Sequence, residues 1–236
     1  DGQRLPVIPT LLISALSIID NAAQSVDMSL KRPGNLLYLI GNTRNELAGS
    51  HYLEIVGYQT SRNHSKGGGG EEEGREPLRS PSVPAIGAGT TIPYVDVATA
   101  RNTMNAVGKA IRSGLALSCH DLSEGGLAVA AAEMALAGLL GLSIDIGQVA
   151  SEPLDYPDEL LAIVLLFSES ASRFLLEVAP QQREEFEAHM RVHDVQDITC
   201  LGSVTENGRF HVRVGERVLI DLAVDELQAA WKGETA

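Results

Sequence analysis

The sequence predicts an α+β fold, a mixed sheet covered by helices, and three observations carry that prediction. Short apolar runs bounded by turn residues recur along the chain. An amphipathic stripe and an Ala-rich stretch with helical character interrupt them. The last runs are joined by Asn207-Gly208 and Gly215-Glu216, which are hairpin turns, so the neighbouring strands are antiparallel.

In chain order, Leu11 to Ile19 (LLISALSII) and Leu36 to Ile40 (LLYLI) read as buried strands, with Lys31-Arg32-Pro33-Gly34 punctuating between them. Thr60 to Ser82 changes character: four consecutive glycines precede Glu71-Glu72-Glu73, and large apolar side chains are scarce, so a flexible surface excursion is expected there. Apolar residues at 97, 100, 104, 107 and 111 make a helical stripe, with Asp96 as its cap. Leu115 to Cys119 reads as a strand, followed by a polar turn and a helix over Leu127 to Leu140. Further strands are expected at 142–146, 161–167, 174–178, 198–204, 209–214 and 218–222, and surface helices at 181–191 and 224–232. No repeat with a period of about 20–50 residues is present.

With 236 residues the chain is long enough to bury a core without staples. Its 31 acidic and 18 basic residues give a net charge of −13, which repels phosphate backbones and anionic bilayers, so nucleic-acid and membrane binding are poor expectations. The apolar stretch Leu127 to Leu142 is broken by Glu133, Gly138 and Gly141, short of the roughly 20 residues a membrane span demands. Cys119 and Cys200 stand far apart with no Cys/His cluster, which points to no zinc site or disulfide framework and to a reducing, cytoplasmic setting. The start at Asp1 without a basic and apolar leader reads as a piece of something longer.

Three segments carry candidate chemistry. In His120-Asp121-Leu122-Ser123-Glu124-Gly125-Gly126 a strand stops at a polar pair and restarts as a helix through two glycines. Such a turn places side chains and free N–H groups at a sheet edge, where anions bind, and glycine lets the backbone approach a ligand. The structural alternative is that Asp121 and Ser123 cap the helix, Gly125 and Gly126 permit close packing, and His120 is a satisfied half-buried side chain. If Gly126 has negative φ, a methyl group added there costs folding little. Gly49 and Ser50, in ELAGSHY, offer an N–H and a hydroxyl to a substrate oxygen; a plain strand-to-helix loop is the alternative. Arg173, at the end of FSESASR, offers an anion a fork of donors, or else lies solvated in a polar turn. There is no GxSxG, Walker A loop or GxGxxG.

Together these segments resemble the phosphoribosylformylglycinamidine synthase family of the aminoimidazole ribonucleotide synthetase superfamily. The likeness rests on HDLSEGGLAVAAAEM from His120 to Met134, supported by LLYLIG, ELAGSHY, LFSESASRFLLEV and the terminal GRFHVRVGERVLIDLAVDELQAAW. Ala48 stands where the family usually has Gly, and 60–82 looks like an insertion. The resemblance implies a C-terminal domain of the synthetase type over 29–236, preceded over 1–28 by the last strands of an ATP-handling domain. It further implies an ATP- and Mg2+-dependent conversion of formylglycinamide ribonucleotide to the amidine, with ammonia from a glutaminase subunit or domain. The remainder of the synthetase chain then carries the catalytic histidine and magnesium ligands, so no catalytic residue is expected here and the fragment alone is inactive. Gly49, Ser50, His120, Asp121, Ser123, Gly125, Gly126 and Arg173 become substrate-side wall. The alternatives are the equivalent domain of a superfamily relative and a noncatalytic interaction domain.

Overall fold

The computed structural model describes residues 13, 14, 16, 18–56, 90–152 and 157–234. The run Leu36–Ile40 forms β1, an interior strand, and its composition follows from its place. Leu37 and Leu39 enter one apolar cluster, whereas Tyr38 and Ile40 enter another on the opposite face. A strand covered on both faces has no polar side to write, so alternation vanishes and the run is apolar throughout.

The other elements in chain order are α1 (His51–Ile55), α2 (Val97–Arg112), β2 (Ser118–Asp121), α3 (Gly126–Gly138), β3 (Gly141–Asp145), α4 (Asp158–Phe167) and β4 (Phe174–Val178). They are followed by α5 (Arg183–Val192), β5 (Ile198–Thr205), β6 (Arg209–Val214), β7 (Arg217–Ala223) and α6 (Val224–Trp231). The seven strands form one sheet in the order β2-β4-β1-β5-β3-β6-β7. Neighbours are antiparallel except β3 and β6, so the sheet is mixed, as predicted. On one face α3, α4 and α6 cover Leu37, Leu39, Leu142, Ile144 and Phe210. On the other, α2 and α5 bring Ala106, Ala110, Phe186 and Met190 against Tyr38, Ile40, Leu176 and Val178. Each fully buried Leu or Phe contributes roughly 1.5–3 kcal/mol of transfer free energy, so both faces stabilise the sheet.

Three expectations need correction. The run 161–167 is not a strand but most of α4, which begins after Pro157 with Asp158 and Glu159 in its first turn. An all-apolar run has no period to separate buried helix from buried strand, and the Pro and acidic start were the deciding signals. Of the strand expected at 11–19, residues 13, 14, 16, 18 and 19 are described and none lies in a strand; the rest, like all of the Gly/Glu-rich stretch 60–82, lies outside the described residues. In α2 the packed stripe is Ala100, Thr103, Ala106, Val107 and Ala110, leaving Val97 and Met104 exposed. Small side chains let α2 approach the sheet, which a stripe drawn through the large apolar residues misses.

Buried polar groups tie loops to this frame. Glu177 on β4 is fully buried and accepts from the Lys31 N–H at 2.8 Å, the Arg32 N–H at 3.1 Å, Asn35 Nδ2 at 2.6 Å and Ser118 Oγ at 3.1 Å. Four donors satisfy a carboxylate that burial would otherwise penalise, and they pin the turn before β1 to the sheet.

Candidate functional site

One concavity among the described residues is an open cleft of about 940 Å3. It lies between α2, the β2-to-α3 corner, the turn before β4 and the segment around residues 18–26. Met104, Ile111 and Arg112 supply one wall, and Cys119, Asp121, Ser123, Glu169 and Ser172 the other.

Strand alternation decides what β2 presents. Cys119 and Asp121 line the cleft, whereas His120 turns toward α3, where its Nε2 lies 2.7 Å from Glu133 Oε2. The imidazole is thereby held between two carboxylates, since Asp121 Oδ1 stands 3.7 Å from its Nδ1. Asp121 accepts from Ser123 Oγ at 2.7 Å and keeps much of its carboxylate in solvent. Burial, helped by the Asp121 charge, pushes the Cys119 thiol up to about 12, so it stays protonated and is a poor nucleophile near neutral pH.

Neither Asp121 nor Ser123 caps α3. The capping position is Gly125, at φ +79, and no side chain of the turn itself bonds there. The acceptor comes from Glu169: its Oε1 takes the Gly125 N–H at 2.9 Å and also the His51 N–H of α1 at 3.2 Å. Gly126 has φ +62, and a Cβ built on it would lie 2.4 Å from the Ser168 carbonyl oxygen and 2.9 Å from that of Leu166. The condition under which a methyl group would be cheap there is therefore not met. Gly126 is thus required by the junction of α3 with the end of α4, and Gly125 by its left-handed backbone and by Val129, whose Cγ2 would lie 2.3 Å from an added Cβ.

Ser50 caps α1, its Oγ accepting from the Leu53 N–H at 3.4 Å, and is buried; Gly49 precedes it at φ +80. Arg173 is 1% exposed. Its Nε donates to the Ser170 carbonyl at 3.0 Å, its Nη1 to Thr43 Oγ1 at 3.0 Å and its Nη2 to the Ser168 carbonyl. Burial draws its pKa down to about 10 against the opposing charges of Glu46 and Glu169, so it remains a cation at neutral pH. Of the sequence-predicted residues, Asp121, Ser123 and Arg173 thus meet at the cleft lining, while His120, Ser50, Gly49, Gly125 and Gly126 build the structure behind it. Sequence reasoning missed Glu169 and the α2 wall. A lone carboxylate among serines was the available signal.

Glu46 is also buried; its Oε1 accepts from the Tyr94 N–H at 3.0 Å and its Oε2 has no hydrogen-bond partner among the described residues. No group of three or more His, Cys, Asp or Glu among the described residues is placed to hold a metal ion. No described helix is long and apolar enough to cross a membrane.

Fold and corner define a class: an α+β domain whose mixed seven-stranded sheet ends at a glycine-started helix beside an open polar cleft. The family model described as "AIR synthase related protein, C-terminal domain" matches residues 32–215, and the chain belongs to that family. The phosphoribosylformylglycinamidine synthase subunit PurL of Alkaliphilus metalliredigens is 27% identical over 231 residues, covering 98% of this chain and 26% of that protein. The PurL subunit of Synechocystis is 30% identical over 235 residues, again spanning 98% of this chain and 26% of its own length. The chain therefore spans about a quarter of these relatives. Thermotoga maritima PurL complexed with FGAR superposes with a TM-score of 0.64 at 19% identity, over 87% of this chain and 30% of that one, which is a likeness of fold.

Proposed function

We propose that this chain is the C-terminal region of a phosphoribosylformylglycinamidine synthase, which converts formylglycinamide ribonucleotide to the amidine at the expense of ATP and glutamine. One observation carries the reading: PurL relatives align over 98–99% of the chain, well beyond the matched family domain at both ends. Thermotoga maritima PurL structures with FGAR and with ATP, and the PurLQS structure from that organism, support an enzyme that binds both ligands and has further subunits; a glutaminase that supplies ammonia is part of the proposal.

On this reading the cleft faces the ribonucleotide. Asp121 and Ser123 offer polar atoms to it, and Met104 with Ile111 supplies an apolar wall. His120 acts from behind by orienting Asp121, and Ser50, Gly125, Gly126 and Arg173 fix the loops that shape the wall. In this proposal ATP and Mg2+ are held by the rest of the synthetase chain. The division near Met28 is part of the same proposal, with 1–28 contributed by the preceding ATP-handling domain. A cytoplasmic enzyme of purine biosynthesis results.

The test uses the complete polypeptide that contains this chain. Supplied with ATP, Mg2+, formylglycinamide ribonucleotide and ammonia or glutamine with a glutaminase, it is expected to release ADP and the amidine in step. The 236-residue chain alone is expected to hydrolyse no ATP. ATP turnover by the complete protein with selenide or carbamoyl acceptors, and none with the ribonucleotide, would overturn the assignment.

A further inference from the structure

Two imidazoles meet at the end of α5. His189 lies in its last turn and His193 is its C-terminal capping residue, four positions further on, so both project from one side of the helix. Their ring centroids are 4.6 Å apart and their planes are inclined at 79°. His189 Nε2 lies 2.9 Å from the Ala106 carbonyl oxygen of α2. A carbonyl only accepts, so Nε2 carries the hydrogen and the neutral His189 ring keeps its lone pair on Nδ1. Neither ring nitrogen of His193 has a hydrogen-bond partner among the described residues.

A histidine that ligates a metal is commonly oriented by donating its other ring N–H to a backbone carbonyl, and His189 already does so. The separation of the rings also fits. With a metal–nitrogen bond of about 2.1 Å, a ring centroid stands about 3.2 Å from the ion, so two centroids 4.6 Å apart whose nitrogens turn to a common point subtend about 90°. That is the cis angle of the square-planar and tetragonal sites favoured by copper(II) and nickel(II); the tetrahedral angle of zinc would need about 5.2 Å. Desolvation, then the charges of Lys109 and His189, lower the His193 pKa against the opposing charge of Asp194, which favours the neutral ring that binds metal. Lys109 itself is exposed, so solvent and salt screen its repulsion of a cation.

We propose that His189 and His193 form a two-imidazole site for a divalent transition-metal ion of the copper or nickel kind, with the Ala106 carbonyl orienting His189 and water filling the remaining positions. The bound ion would clamp the last turn of α5, and through His189 it would tie that turn to α2. Neither histidine lines the cleft, so the proposal stands apart from the synthase reading. Its test measures metal binding and not turnover.

The probe is NiCl2, titrated into the isotopically labelled 236-residue chain at about pH 8, where imidazoles are largely neutral. Calorimetry reads the affinity, and paramagnetic broadening of the histidine resonances reads the place. The tightest Ni2+ site of the wild type is expected to broaden His189 and His193 first, to raise the melting temperature and to be cleared by EDTA, while MgCl2 does none of this. His193→Ala, which removes no side-chain hydrogen bond, is expected to weaken that site by at least about tenfold and to cancel the rise in melting temperature. His189→Gln, whose amide can still donate to the Ala106 carbonyl but offers no imidazole, is expected to do the same. Broadening centred on another histidine, or unchanged affinity in either folded variant, would overturn the proposal and leave the ring pair as a packing contact. Should His189→Gln fail to fold, the broadening pattern and His193→Ala decide it.

Discussion

Helix α2 and the turn into α3 both line the same cleft, yet the two helices are capped in opposite ways. The start of α2 is local: Asp96 Oδ1 accepts from the Ala98 N–H at 3.0 Å and the Thr99 N–H at 3.3 Å, and Oδ2 from Thr99 Oγ1 at 3.0 Å. The start of α3 has a glycine in the capping position and borrows its acceptor from Glu169, 44 residues along the chain. A local cap stabilises its own helix only. A borrowed one also fixes the distance between two loops, so α3, α1 and the turn after α4 hold their positions together.

The largest effect that could break this contrast is expected from Gly126→Ala. Its left-handed backbone and the Ser168 carbonyl 2.4 Å from the added methyl together cost about 3 kcal/mol. Urea unfolding followed by circular dichroism measures this; a loss below about 0.5 kcal/mol, the range of ordinary surface changes, would show that the junction yields. Glu169→Ala comes next, at about 1–3 kcal/mol, because the partly buried Gly125 N–H and the exposed His51 N–H lose their acceptor at once. Hydrogen exchange sharpens the point: protection should fall at both His51 and Gly125, although the two belong to different helices.

The same contrast explains what was legible in the sequence. Asp96 was readable as a cap because its donors lie two and three residues away, within the window that local pattern covers. Most strands were legible for a similar reason, since apolar runs and hairpin turns are local. The α4 run was not, because its burial on several sides erases helical period. The packed face of α2 was obscured because alanines, not large side chains, make the contact. At the candidate corner the sequence showed where polar residues and glycines gather. It did not show that β2 turns His120 away from the cleft, nor that Glu169 fills the N–H groups the glycines expose, since both depend on pairing between distant segments.

A smaller effect tests the local cap. Asp96 is solvent-exposed, and hydrogen bonds from the Thr99 hydroxyl, then from the Thr99 and Ala98 N–H groups, lower its pKa. A folded-state pKa below the unfolded one contributes stability that is present above the unfolded value and lost as pH falls through the folded value. The gap in urea midpoint between wild type and Asp96→Ala is thus expected to be steady near neutrality and to close below about pH 4, near the ordinary aspartate value. Asp96→Asn, which caps equally well, should show little gap at neutral pH. A gap that widened on acidification would contradict the cap.

The smallest stability effect is expected from Asp121→Ala, and its smallness is informative. Had Asp121 capped α3, its loss would cost about 1 kcal/mol. Among the described residues its carboxylate meets only the Ser123 hydroxyl at 2.7 Å and the His120 ring at 3.7 Å, with no helix N–H. The stability change is therefore expected to stay within about 0.5 kcal/mol. Under the proposed function, by contrast, Asp121 at the cleft faces substrate, and its removal from the complete polypeptide should raise the KM for the ribonucleotide by about tenfold, equivalent to roughly 1.4 kcal/mol of binding. A substitution that leaves folding alone but weakens substrate capture places Asp121 on the ligand side of the corner. A measured loss near 1 kcal/mol with unchanged KM would return it to the helix and leave Glu169 as one of two caps.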